Sequence, residues 1–427
     1  MKKNKIFDLS AISIIACDCL QAVITIFIDL FFISQILNYS NGDTALNIIY
    51  IGLFYLIEYI ILALSYRFSG FILKKINKSI FVSIGAVLLT VVVLMVYLLH
   101  DNIISYVALI AVVYGIAWGF FSSGFNNLTA ETISSKHQVR FFAVKKIMFQ
   151  LTYIIFPVTL GLIIDNINFG FMALIMLVIC GLLIMFSFLI KPKKTYKLSF
   201  NVKAFSIYLR KNSEQTKPLW LVYISTFFRG ASFDCFTTLI TILVMRTFQS
   251  NTDLGMFQSI FTGCSLLTMA FYLKFYRKRR AKGFMIPTIV LVACTIVGVM
   301  ISTNKVSIIC FTAVYSILNV ILMSISDSRR AGVVRTLSLH SHILESNAFI
   351  EFFLGAGRII STLAILFSGV FDSLTGGTIF LKLALVWVCG MYIMYGLSLC
   401  WLEKSLIKQD EEFRKAHAQE QIEKNED

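Results

Sequence analysis

Apolar stretches of about 20 residues, the length a helix needs to cross a bilayer, recur twelve times along this 427-residue chain. They lie at roughly 10–37, 46–71, 79–100, 104–128, 146–164, 170–190, 219–246, 253–274, 284–302, 305–327, 347–370 and 377–401. Hydrophobic residues make up 58% of the chain and charged residues only 14%, a balance that a soluble domain with a polar exterior cannot accommodate. The expected fold is an all-α integral membrane protein with twelve transmembrane helices.

The stretches divide into two related sets. Asp18-Cys19 followed by Ile24-Thr25-Ile26 returns 216 residues later as Asp234-Cys235 followed by Ile240-Thr241-Ile242. The aligned positions between them are also alike: Leu20 with Phe236, Val23 with Leu239, Phe27 with Leu243. This repeat predicts two pseudo-symmetric six-helix bundles, residues 1–190 and 219–402, joined by a linker at 191–218 and followed by a charged tail at 403–427. A carboxylate in lipid is expensive, so keeping one at the equivalent place in each half points to a polar pathway between the halves.

The net charge is +15, and its distribution excludes a nucleic-acid partner. The N-terminus, the tail and the five even-numbered connections hold 33 of the 38 Lys and Arg residues, with Lys145 and Lys146 counted in the connection after the fourth span. By the positive-inside rule both termini are expected to be cytoplasmic, and the basic surface to meet anionic headgroups. The apolar run behind Met1-Lys2-Lys3 is too long for a signal peptide and carries Asp18 and Asp29, so it reads as an uncleaved first span. The linker predicts a short surface helix at Val202–Leu209. The tail reads as a solvated helix or a disordered segment. The nine cysteines include no C-x-x-C pair and imply buried apolar residues, with no disulfide and no metal site.

Six plus six spans, a long basic central loop and cytoplasmic ends resemble the major facilitator superfamily over about residues 8–402. After the second span that family carries Gly-x-x-x-Asp-(Arg/Lys)-x-Gly-(Arg/Lys)-(Arg/Lys); here Gly70, Lys75, Asn77 and Lys78 fit, with Asn77 in place of a glycine in a left-handed turn and Lys74 replacing the acidic residue. The fifth-span antiporter pattern is matched only at Pro157 and Gly161, a weak pointer to efflux. The resemblance implies that the first and seventh helices line a central path and that the second and eleventh meet across the halves.

At 100° per residue, Asp18, Gln21, Thr25 and Asp29 share a face of the first helix, and Asp234, Thr237, Thr238 and Thr241 share a face of the seventh. The threonines have a simpler reading as residues that bond their own backbone. In the eleventh span Glu351, Gly355, Arg358 and Thr362 share a face, as do Tyr55, Glu58, Tyr59 and Tyr66 in the second. A Glu58–Arg358 ion pair across the halves is expected, either as a static neutralised pair or as a gate broken when Glu58 is protonated or substrate binds. Arg229 points away from Asp234, so it either reaches a carboxylate on another helix or offers its charge to an anionic substrate group. Gln258 and Asn319 could supply uncharged hydrogen bonds to a solute. Asp327, Arg329 and Arg330 read as end-of-helix residues that snorkel.

No Gly-x-x-x-x-Gly-Lys-(Ser/Thr) occurs, no histidine lies deep in a span and no soluble domain remains, so neither ATP hydrolysis nor an enzyme is expected. The expectation is a secondary transporter working by alternating access. It would move a small organic solute, charged or amphipathic, as a monomer without cofactors, in a bacterial plasma membrane. Protons are the favoured coupling ion, with Asp18, Asp234, Glu58 and Glu351 as candidates in that order; Na⁺ would suit the same carboxylates. A lipid flippase of the same fold, and a membrane sensor or scaffold that no longer transports, are the alternatives.

Overall fold

The computed structural model describes residues 8–39, 44–73, 76–99, 102–132, 138–191, 201–212, 216–275, 281–302, 304–336, 343–375 and 379–426. Among them every regular element is helical. The first span is broken into α1 (Leu9–Ile26), a six-residue π-helical turn (Phe27–Phe32) and α2 (Ile33–Tyr39). The other spans of the first half are α3 (Thr44–Ile72), α4 (Lys78–Leu98), α5 (Ile103–Thr132), α6 (Gln138–Asn166) and α7 (Phe169–Leu189). The linker contributes α8 (Val202–Lys211). The second half comprises α9 (Lys217–Phe248), α10 (Asn251–Phe275), α11 (Ala281–Ile301), α12 (Lys305–Thr336), α13 (Ile343–Thr375) and α14 (Ile379–Glu426).

Eleven of the spans are long and apolar enough to cross a membrane, and the twelfth, α11, contributes the shorter apolar stretch Met285–Ile301. Large apolar side chains such as Leu64, Phe68, Val178, Leu267 and Ile301 stand exposed on the outside, as lipid-facing residues should. Helix starts are set by local chemistry: the Asp8 carboxylate accepts the Ala11 N–H at 3.0 Å, and Asn168 accepts that of Phe171 at 2.7 Å. Gln249, in the left-handed region at φ 56°, ends α9 and turns the chain into α10. The tail is helical, since α14 runs unbroken to Glu426.

The start of α1, where Ser10 accepts the Lys191 N–H just beyond α7, marks one end of the molecule, called the termini end; the opposite end, where α6 leads into α7 and α9 into α10, is the far end. Within the halves α3 packs on α5 and α9 on α13, where a Cβ on Gly357 would collide with the Phe227 carbonyl and one on Gly230 with that of Leu354. The halves meet chiefly along α3 with α13 and α6 with α10, and α2 also touches α9. The linker helix is docked rather than loose: Phe205 and Leu209 are buried, Phe205 meets Phe349 of α13 edge-on at 5.4 Å, and the Asn201 N–H donates to buried Glu345 at 2.8 Å.

Candidate functional site

The polar groups at depth fall into two levels. Nearer the termini end, Asp18 of α1 forms an ion pair with Lys145 of α6 at 3.0 Å, and Lys145 also lies 4.9 Å over the Phe125 ring. In the second half Arg229 of α9 pairs with Asp327 of α12, also at 3.0 Å. Each pair belongs to one half. Lys146, the residue after Lys145, lies within Coulombic reach of Asp18 on its own side and of Arg229 and Asp327 on the other. The five charges therefore form one cluster around the space between the bundles. Asp18 and Lys145 keep 14% and 18% of their side-chain surface accessible and Asp327 61%, so water reaches this space.

The sequence alternatives for Arg229 resolve to a carboxylate on another helix, and that carboxylate is Asp327. Asp327 is thus not a snorkelling end residue. Nor is Arg329, whose guanidinium bonds the Glu403 carboxylate at 2.7 Å with both residues buried. Lys145 and Lys146 stand within α6, not in the preceding connection, because α6 begins at Gln138.

Along α1 two residues of the expected face bond each other. Gln21 donates to the Thr25 hydroxyl at 2.8 Å and Thr25 bonds back to the Gln21 carbonyl. The π turn that follows carries Asp29, which comes into electrostatic range of Tyr114 and of Tyr153, a ring that also lies within range of Asp18. On α9, Thr237 and Thr241 bond the carbonyls four residues back, and Thr241 is buried. Asp234 lies on the same helix, but its side chain lies outside the described residues. Gln258 and Asn319 sit on α10 and α12, Asn319 buried.

Glu58, 5% exposed, and Tyr59 lie on α3 against α13, and the Arg358 guanidinium is 5.2 Å over the Tyr59 ring. Glu351 lies about two turns nearer the start of α13, within electrostatic range of Tyr66. Gly70 lines a small cleft there with Tyr66, Leu73, Ser123, Asn127, Asn347 and Ala348. Asn77 departs from expectation: it is extended (φ −61°, ψ 129°) and caps α4 by accepting the Ser79 N–H, so no left-handed turn forms at that position. Lys78 follows as the first residue of α4, and Lys75 lies outside the described residues.

The second level is at the far end, where the sequence offered no candidate. The Asp165 carboxylate at the end of α6 accepts from the backbone N–H of Thr252 at 2.8 Å, the Asn251 side chain at 2.8 Å and the Ser250 hydroxyl at 3.1 Å. One half thereby caps the first turn of α10 in the other. Ser34 of α2 donates to Asn251 from a third helix. Beneath this cap a Cβ on Gly161 would strike the Asn251 carbonyl, and one on Gly255 that of Pro157, so the Pro157 and Gly161 pattern serves as a close contact between halves.

A family model for the Major Facilitator Superfamily matches residues 10–339. The chain belongs to the Major Facilitator Superfamily, and it is a multi-pass membrane transporter of the secondary type. Solved structures agree in fold. A mutant of the nucleoside transporter NupG aligns with a TM-score of 0.63 at 13% identity, covering 92% of this chain and 100% of its own. A bacterial homologue of the iron transporter ferroportin in an inward-facing state gives 0.65 at 13% identity, covering 92% and 98%. The POT family transporter PepTSo gives 0.69 at 11% identity, covering 94% and 98%. None of the curated proteins compared with the chain matches it.

Proposed function

We propose that this protein moves a small organic solute by alternating access, with residues 1–190 and 219–402 as the two moving bodies and 191–218 as their tether. The observation that carries the reading is how the charges are paired. Asp18–Lys145 lies wholly in one half and Arg229–Asp327 wholly in the other, so neither pair bridges the space between them. The bundles can therefore part and close at that depth with each of these charges keeping its partner.

Asp165, Asn251 and Ser34 then act as a far-end gate, closed in this conformation. The Asp165 contacts of the gate are exposed hydrogen bonds, so breaking them costs little. Protons are the coupling ion we favour, with Asp18 the leading carrier: protonation would release Lys145 from its partner and alter the field in the path. Asp234, Glu58 and Glu351 follow, and a Glu58–Arg358 contact across α3 and α13 would link a second carboxylate to the motion. The basic connections support cytoplasmic termini in a plasma membrane, so the far end would face outward.

Thermal stability of the purified protein between acid and neutral pH, beside an Asp18→Asn variant, tests the coupling. A wild-type transition that moves with pH and a variant that does not would support it. Identical pH profiles in the two proteins would remove Asp18 from the mechanism.

A further inference from the structure

Lys145 and Lys146 are neighbours in sequence but diverge by about 100° around α6, and their surroundings differ. Lys145 is engaged by Asp18. Lys146 is exposed and, among the described residues, forms no ion pair. It does not face lipid, because Arg229 and Asp327 of the opposite half are within its Coulombic reach. An accessible side chain with charges from α1, α9 and α12 around it lies between the bundles.

The cluster there holds three cations, Lys145, Lys146 and Arg229, and two carboxylates, each already committed to a cation. The surplus positive charge resides on Lys146. Beside it are rings: its ammonium lies 5.6 Å from the centre of Phe149, which packs against Tyr153 at 4.9 Å. A cationic solute entering this space would meet three like charges with, among the described residues of the cluster, no uncommitted carboxylate, whereas an anion would complete the neutrality of those five groups.

We propose that Lys146, set between the Asp18–Lys145 and Arg229–Asp327 pairs and beside the Phe149–Tyr153 rings, recognises the acidic group of a small organic anion whose aromatic or apolar body lies against those rings. This deepens the transport reading and rests on it, since the anion is the cargo of the same path. Lysine suits the task because its ammonium is a point charge on a flexible stem, able to follow a solute as the bundles move.

The test uses the full-length protein in detergent, as wild type, Lys146→Met and Lys146→Arg. The probes are phenylacetate and phenylphosphonate, their uncharged counterpart phenylacetamide and the cation phenethylamine. The expected result is saturable thermal stabilisation of wild type and Lys146→Arg by an acidic probe, none by the amide or amine, and an affinity about tenfold weaker in Lys146→Met. The proposal is overturned if neither acid stabilises the wild type, if the amide or amine does so equally, or if Lys146→Met binds the acid as wild type does. Interprobe distances across both ends of the protein, measured in the same samples, separate the two readings. Movement without anion binding would refute the anion site and leave transport standing; anion binding lost in Lys146→Met with both ends immobile would do the reverse.

Discussion

The Asp165 carboxylate of α6 accepts the backbone N–H of Thr252, 2.8 Å away at the start of α10, so a helix in one half is capped by a side chain from the other. A cap of this kind contributes about 0.5–2 kcal/mol. That magnitude suits a contact that must break in every cycle, because it biases the far end toward closure by no more than about thirtyfold. Asp165→Ala is expected to raise the share of molecules open at the far end several-fold without unfolding them. Labelling of a far-end cysteine by an impermeant reagent measures this, and an unchanged labelling rate would show that the cap does not hold the gate.

Asp18→Asn removes the charge that Lys145 neutralises. The amide can still accept a hydrogen bond, so the fold should survive with a modest loss of stability. Transport driven by a pH gradient should fall to the level of protein-free vesicles, while exchange of solute at equal pH persists. Loss of both activities together would assign Asp18 to solute binding or folding instead.

Gly357 is a packing prediction independent of transport. A Cβ there meets the Phe227 carbonyl and lies 2.8 Å from the Ala231 nitrogen, both backbone atoms of α9. Gly357→Ala should therefore cost about 1–3 kcal/mol and lower the melting temperature. At Gly390 a Cβ meets nothing within 4 Å, so Gly390→Ala should be neutral or slightly stabilising.

Glu403 marks where the twelfth span ends in practice. Sequence composition counts it as the first residue of the charged tail, yet it is 2% exposed and pairs with Arg329, itself 8% exposed. Glu403→Ala leaves a guanidinium buried without its partner and should destabilise by about 3–5 kcal/mol. Arg329→Met with Glu403→Leu should recover most of that loss, and a double variant as unstable as the single one would refute the pair's role.

The helical spans and their approximate number were legible because hydrophobic run length has one physical reading. The partner of Asp18 was not. Asp18 meets Lys145 through the packing of α1 on α6, which no local pattern encodes, and the positive-inside count had absorbed both lysines into a connection. Arg229 had two open readings, and Asp327, 98 residues away, decided between them. The π turn at Phe27–Phe32 was not legible because helical-wheel reasoning assumes a constant repeat. Asp165 was overlooked as a terminal residue of an apolar helix; its one visible signal was a lone carboxylate opposite the Ser250-Asn251-Thr252 run that opens the eighth span.

The most direct test of alternating access is the distance between spin labels at Ile167 and Leu374, exposed across the far end, and between Ile76 and Ile407, exposed across the termini end. Wild type and Asp165→Ala would be compared at acid and neutral pH. The account predicts two populations at each end that trade places: when the far-end distance lengthens, the termini-end distance shortens, and Asp165→Ala shifts the balance toward the far-open form. A single unchanging distance at both ends, in both proteins and at both pH values, would contradict it.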